Sequence, residues 1–170
     1  FSLHVGHWPA TRVPGRRPVL CLPGLTRNGR DFLDVAAALN SGEQSREVFT
    51  LDARGRGHSE WDSDWKNYSI PVEAQDTIDV MTALDLADAA ILGTSRGGLV
   101  TMVMAAIQPG TVGAVVLNDI GPVIERGGLT RIAGYVGRMP LPISWEDAAR
   151  TAADISRKAF PAVPDTAWAK

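Results

Sequence analysis

The chain has 170 residues, 45% of them hydrophobic, and is nearly balanced in charge, with 17 lysines and arginines against 19 acids and a formal net charge of −2. That is enough apolar material for one domain with a sizeable core, and without any block of like charge a nucleic-acid or membrane-surface partner is excluded. The single cysteine, Cys21, rules out an internal disulfide and a cysteine metal cluster, and no apolar stretch approaches the roughly 20 residues of a membrane span.

No signal-peptide pattern is visible, so the expected location is cytoplasmic, although the first residue is Phe1 and not Met. Residues 1–8 alternate weakly, with Leu3 and Val5 on one side, and read as a strand; residues 9–17 form a turn-rich connection. Val19-Leu20-Cys21-Leu22 is a short continuous apolar run, the pattern of a strand covered on both faces, with Cys21 a small buried residue in it. The loop Pro23-Gly24-Leu25-Thr26-Arg27-Asn28-Gly29 follows, then a helix over 31–39 with Asp31 near its N-cap. Residues 47–51 are the next strand and lead into the loop Asp52-Ala53-Arg54-Gly55-Arg56-Gly57-His58-Ser59. Beyond a polar segment carrying Trp61 and Trp65, Pro71 suits the first turn of a helix whose apolar positions Ala74, Ile78, Met81 and Leu84 keep helical spacing.

The apolar run Ala89-Ala90-Ile91-Leu92 enters Gly93-Thr94-Ser95-Arg96-Gly97-Gly98, and a helical stretch over 99–107 leaves it. This strand, tight turn and helix fit the pattern G-x-S-x-G, in which a serine stands on a strained elbow with its hydroxyl pushed out of the sheet. Gly93 and Gly97 are required there because side chains two residues from the serine collide as the backbone folds back, and Gly98 lets the helix pack close to its strand. Residues 112–117 form a further strand, ending in Asn118-Asp119-Ile120-Gly121-Pro122. From there a short helix over 129–137, a capping-box-like start at Ser144-Trp145-Glu146-Asp147 for a helix running to about Phe160, and a third helix opening at Pro164-Asp165 are expected. Strands and helices alternate, so the expected fold is α/β with a doubly wound, mostly parallel sheet; the loops at the carboxyl ends of its strands, beginning at Pro23, Asp52, Gly93 and Asn118, make the ligand crevice.

Taken together, Leu22-Pro23-Gly24-Leu25, Asp52-x-Arg54-Gly55-x-Gly57-x-Ser59, Gly93-Thr94-Ser95-Arg96-Gly97-Gly98 and Leu117-Asn118-Asp119 resemble the α/β-hydrolase family in order and spacing. The resemblance covers about residues 3–122 and implies a hydrolase core over 1–120, with 121–170 the beginning of a helical cap. Its nearest kin are cofactor-free esterases, enol-lactonases and C–C bond hydrolases with a serine nucleophile, so no cofactor and no metal are implied. It implies Ser95 as nucleophile and the backbone N–H groups of Leu25 and Arg96 as the oxyanion hole; Pro23-Gly24 stands where the family usually has His-Gly, which leaves the backbone donor in place. Losing one such donor typically raises the barrier by roughly 2.7–4 kcal/mol.

A serine nucleophile needs a general base, which the family takes from a histidine late in the chain, after the acid. His4, His7 and His58 all precede Ser95 and no histidine follows it. The 170 residues are therefore expected to be the N-terminal portion of a longer enzyme, with the base supplied from outside them and the last strands absent. Asp119 has two readings: the triad acid, as in the minority of the family that places it after this strand, or the cap of the Ile120-Gly121-Pro122 turn. Arg27, Arg30 and Arg96 lie by the crevice, where Arg27 is offered to a substrate carboxylate or pairs with a nearby acid; Trp145 and Tyr135 either wall an acyl pocket or pack the cap.

The resulting expectation is a serine hydrolase of a small-molecule ester, lactone or related carbonyl compound. Cofactor-free haloperoxidase or perhydrolase chemistry shares the same triad, and a non-catalytic ligand-binding protein of the same fold is the alternative outside enzymology. Nucleotide binding fails on the page, because Glu60 stands where the third glycine after Gly55-x-Gly57 is required. Metal catalysis is excluded for want of clustered histidines and acids.

Overall fold

The structure is a computed structural model that describes residues 1–138, 141–158, 160–164 and 167–168. Five strands form one sheet: β1 (Val5–Trp8), β2 (Val19–Leu22), β3 (Val48–Leu51), β4 (Ala89–Thr94) and β5 (Val112–Asn118). Their order across the sheet is β1-β3-β2-β4-β5, with β1 antiparallel to β3 and the other pairs parallel. The register sets Leu20 against Phe49 on one side and Ile91 on the other, so the apolar runs lie in rows across the sheet centre.

The helices joining these strands are α1 (Leu33–Leu39), α2 (Ile70–Ala83) and α3 (Arg96–Ile107). Side-chain alternation along β2 splits the core in two. Leu20 and Leu22 join Phe49, Leu51 and Ile91 beneath α2 and α3, where Ala74, Ile78, Met81, Val100 and Met104 are buried. Val19 and Cys21 face the opposite way, with Val48, Phe32 and Ala36 on the α1 side. Helices on both faces of a mostly parallel sheet make it doubly wound, as the alternation of elements predicts.

Several boundaries differ from the sequence expectation. Asn28, not Asp31, caps the first helical segment: its side chain accepts from the Arg30 N–H at 3.0 Å and opens a 3-10 turn over Gly29–Phe32, so α1 proper begins at Leu33. Asp31 is drawn instead to Arg27. The helix after the elbow starts three residues before Leu99, at Arg96, because glycines 97 and 98 are tolerated where close packing forbids any side chain.

Residues Phe1–Val123 form one compact unit and Ile124–Lys170 a second. In the second, α4 (Arg126–Tyr135) and α5 (Trp145–Ser156) are helical. Ser144 caps α5 by accepting from the Asp147 N–H at 3.2 Å, while the Asp147 carboxylate accepts from the Ile143 N–H at 3.2 Å, so the expected capping box closes one residue further back than its usual form. This helix ends at Ser156, short of Phe160. Of the helix expected to open at Pro164-Asp165, residues 165–166 and 169–170 lie outside those described. Among the described residues no helix is long and apolar enough to cross a membrane.

Where α3 crosses β2 there is no room for a methyl group: a Cβ at Gly97 would overlap the Leu22 carbonyl. Gly97→Ala is expected to lower stability by about 1–3 kcal/mol or more, read by urea denaturation, because the clash is with backbone that has nowhere to move. Burial pushes the Cys21 thiol up to about 12. At pH 8 only about one thiol in ten thousand would then be ionised, so a thiol reagent should label Cys21 at the rate of global unfolding and not before.

Candidate active site

The site is built where β4 ends. Ser95 sits between β4 and α3 with φ +49° and ψ −111°, a conformation that costs a non-glycine residue of order 1–3 kcal/mol. The surroundings hold it there. The Ser95 N–H donates to the Asn118 carbonyl at the end of β5 (2.9 Å), and the Ser95 carbonyl accepts from Gly98 (2.9 Å) and Leu99 (3.2 Å) in the first turn of α3. A Cβ at Gly93 would lie 2.8 Å from both the Gly97 carbonyl oxygen and the Gly98 Cα, which is the collision predicted for residues flanking the elbow. Asn118 also donates from its side chain to the Thr94 hydroxyl at 3.2 Å.

The loop after β2 is docked against this elbow. Gly97 N–H donates to the Pro23 carbonyl at 3.1 Å, and a Cβ built on Gly24 would be 3.8 Å from the Ser95 Cβ. Leu25 and Arg96 both border one narrow cavity, together with Leu22, Gly24 and Val100. Neither the Leu25 nor the Arg96 N–H has a hydrogen-bond partner among the described residues, and both belong to segments held by their neighbours. Arg96 is the first residue of a 12-residue helix, whose free N–H groups and dipole favour negative charge at that end.

The arginines are engaged. The Arg96 guanidinium meets the buried Glu73 carboxylate through two hydrogen bonds of 2.8 Å, with a third to the Tyr68 carbonyl at 3.2 Å. Arg27 makes two bonds of 2.7 Å to Asp31, which raise its pKa above the ordinary value, and its side chain remains mostly exposed. Arg56, not singled out by sequence, donates to the Leu25 carbonyl at 2.9 Å and so braces the loop from below. Its partner lies 31 residues earlier, a separation that no local pattern encodes. Arg54 is buried between Asp76 and Asp62, bonded to Asp76 at 2.8 and 2.6 Å and to Asp62 at 2.6 Å, and fixes the loop after β3 to α2.

No side chain among the described residues hydrogen-bonds the Ser95 hydroxyl. The histidines lie elsewhere: His7 bonds Glu47 at 2.8 Å and stacks on Phe49, His4 bonds Asp52 at 3.0 Å, and His58 Nδ1 stands 3.8 Å from the same carboxylate. Against the sequence expectation, histidines and an acid do cluster: the β1–β3 pairing carries His4 to Asp52 across 48 residues, and the turn at Gly55 and Gly57 returns His58 to it. Asp119 directly follows β5 with φ +53°, exposed, and its carboxylate makes no hydrogen bond among the described residues, so the turn-capping role is not realised. In the second unit Trp145 is 85% exposed at the start of α5, and Tyr135 closes α4 beside Arg131, Ile155 and Phe160.

Comparison with known proteins agrees with this architecture. A profile of the alpha/beta hydrolase fold matches residues 17–166. A 3-hydroxybutyrate-oligomer hydrolase of Cupriavidus necator is 36% identical over 130 residues, covering 76% of this chain and 42% of that protein. A serine hydrolase of Mus musculus is 34% identical over 108 residues, covering 61% of this chain and 35% of its own length. The crystal structure of an alpha/beta hydrolase from Novosphingobium aromaticivorans shares 39% identity and a TM-score of 0.88, covering 98% of this chain and 57% of that one. The chain thus spans about half the length of the relatives it matches. A family profile over most of the sequence, together with the doubly wound sheet and the serine elbow between β4 and α3, places this chain in the α/β-hydrolase fold family.

Proposed function

We propose that these residues carry the nucleophile and the oxyanion-binding half of a serine hydrolase acting on a small-molecule ester, lactone or related carbonyl compound. The observation behind this reading is that Leu25 and Arg96, whose N–H groups have no partner among the described residues, line one cavity, and that Arg96 directly follows a serine held at φ +49°. In this mechanism the Ser95 hydroxyl oxygen attacks the carbonyl carbon and its proton passes to a histidine supplied from outside the 170 residues. The carbonyl oxygen becomes an oxyanion and accepts from the two N–H groups, whose fixed positions cost no reorganisation as charge develops. Collapse of the tetrahedral species expels the alcohol, which takes up the proton; water then attacks the acyl-enzyme and releases the acid. Ester and water give acid and alcohol, with Ser95 restored.

The acid of the triad is assigned to Asp119. Its support is position and freedom: it is the residue after Asn118, whose carbonyl holds the Ser95 N–H, and its carboxylate makes no hydrogen bond among the described residues. Arg27, whose guanidinium among the described residues bonds Asp31 alone, is read as the cation that meets an acidic substrate at the edge of the crevice. The second unit is read as the start of a cap, and Trp145, exposed at the start of α5, as a substrate-binding residue within it. The Cupriavidus necator relative, named for hydrolysing 3-hydroxybutyrate oligomers, makes esters of short hydroxy acids the first substrates to try.

The test is an intact-mass spectrum of the protein as its source makes it, before and after a fluorophosphonate probe. The reading expects a mass above 18.2 kDa and one adduct, on Ser95; a chain of 18.2 kDa with no adduct would move the reading to a ligand-binding protein of the same fold. Ser95→Ala should abolish the adduct, and Asp119→Asn should lower kcat by about ten-thousand-fold while the elbow stays intact. Full activity in Asp119→Asn would remove Asp119 from the triad.

A further inference from the structure

Away from Ser95, His4, Asp52 and His58 converge on one point of the surface, with one potential ligand atom from each lying within 4.8 Å of the others. We propose that they form a site for one divalent transition-metal cation of the zinc class, with a structural role. The chemistry follows from the donor set. Two imidazole nitrogens and one carboxylate oxygen suit zinc and its neighbours, whereas magnesium and calcium require oxygen donors throughout.

The distances are those of a site nearly closed. His4 Nδ1 is 3.0 Å and His58 Nδ1 3.8 Å from the same Asp52 oxygen, and the two rings stand 4.7 Å apart, tilted by 59°. A tetrahedral cation with bonds of about 2.0–2.2 Å needs donor atoms about 3.3–3.6 Å apart, so a slight opening of the His4–Asp52 contact and an inward adjustment of the His58 ring complete the set. As the structure stands, His58 Nδ1 faces the carboxylate beyond hydrogen-bond distance and has no other partner among the described residues. A cation would take the place of the hydrogen between His4 Nδ1 and Asp52, with that imidazole carrying its proton on Nε2 instead, and would give His58 Nδ1 the partner it lacks.

The frame around these atoms is already organised. Asp52 is buried, its Oδ1 accepts from the Gly29 N–H at 2.7 Å and its Oδ2 from the His58 N–H at 2.9 Å. The His4 backbone is held on both sides, its N–H by the Ser59 hydroxyl at 2.9 Å and its carbonyl by the Asp52 N–H at 3.0 Å. The imidazoles, by contrast, are 45% and 72% exposed, which gives the cation a route in and leaves its fourth position to water. Binding there would clamp the segment before β1 to the loop after β3, the loop from which Arg56 braces Leu25; only that last consequence rests on the function proposed above.

The experiment is zinc titration of the protein stripped of metal by chelator dialysis, followed by calorimetry and thermal melting, with magnesium as control. The expected result is one equivalent of zinc bound, a higher Tm with zinc and no response to magnesium. His4→Ala and His58→Ala should each weaken binding by about tenfold or more, the cost seen for losing even an outer partner of a metal ligand, and His7→Ala should leave it unchanged. Intense visible bands of cobalt bound in a distorted tetrahedron would report the geometry independently of stability. Absence of stoichiometric zinc binding, or binding that survives both His4→Ala and His58→Ala, would overturn the proposal.

Discussion

The structure turns on one backbone conformation. Ser95 takes a positive φ because the chain must reverse between β4 and α3 within a single residue, and three glycines around it have no space for a Cβ. The strain, of order 1–3 kcal/mol, is sustained by burial on either side of the elbow. Ile91 and Met104, just before and after it, are fully buried in the same cluster, so relaxing the turn would pull a strand and a helix out of register together. Two hydrogen bonds carry the constraint outward, from the Ser95 N–H to the Asn118 carbonyl and from the Gly97 N–H to the Pro23 carbonyl. Through them the ends of β2, β4 and β5 meet at the serine, which is why the crevice lies at the carboxyl edge of the sheet.

A second constraint supports the first from behind. Asp52, at the end of β3, gathers the Gly29 N–H, the His58 N–H and the His4 ring around one buried carboxylate. Gly57 makes this geometry feasible, since a Cβ there would overlap the Asp52 carboxylate. The loop so formed supplies Arg56 to the Leu25 carbonyl, while Arg54 ties it to Asp76 on α2. The position of the Leu25 N–H is thus set by a chain of contacts that begins more than twenty residues away. Arg96, which lines the same cavity as Leu25, is anchored by the buried Glu73 on α2, so both residues rest on ion-paired or hydrogen-bonded supports.

Much of this was legible in the residues. The continuous apolar run at Val19–Leu22, the helical spacing of Ala74, Ile78 and Met81, and the glycines around Ser95 each encode a local physical requirement, and each appears where expected. Local requirements also misled: Asp31 and Asn28 are both good cap residues, and what separates them is Arg27, which bonds Asp31 into a pair. Long-range partnerships were not legible at all. Nothing near His4 announces Asp52, nothing near Arg96 announces Glu73, and three isolated histidines in sequence conceal two that share a carboxylate in space.

The account stands on the claim that the Leu25 and Arg96 N–H groups are aimed at the oxygen that becomes charged. The most direct measurement is a crystal structure of the source protein carrying a phosphonate adduct on Ser95. The account predicts one phosphonyl oxygen within about 2.7–3.1 Å of both nitrogens, with the Ser95 backbone still at positive φ. An adduct whose oxygen turns to solvent or to side-chain donors, with either N–H left unbonded, would contradict it.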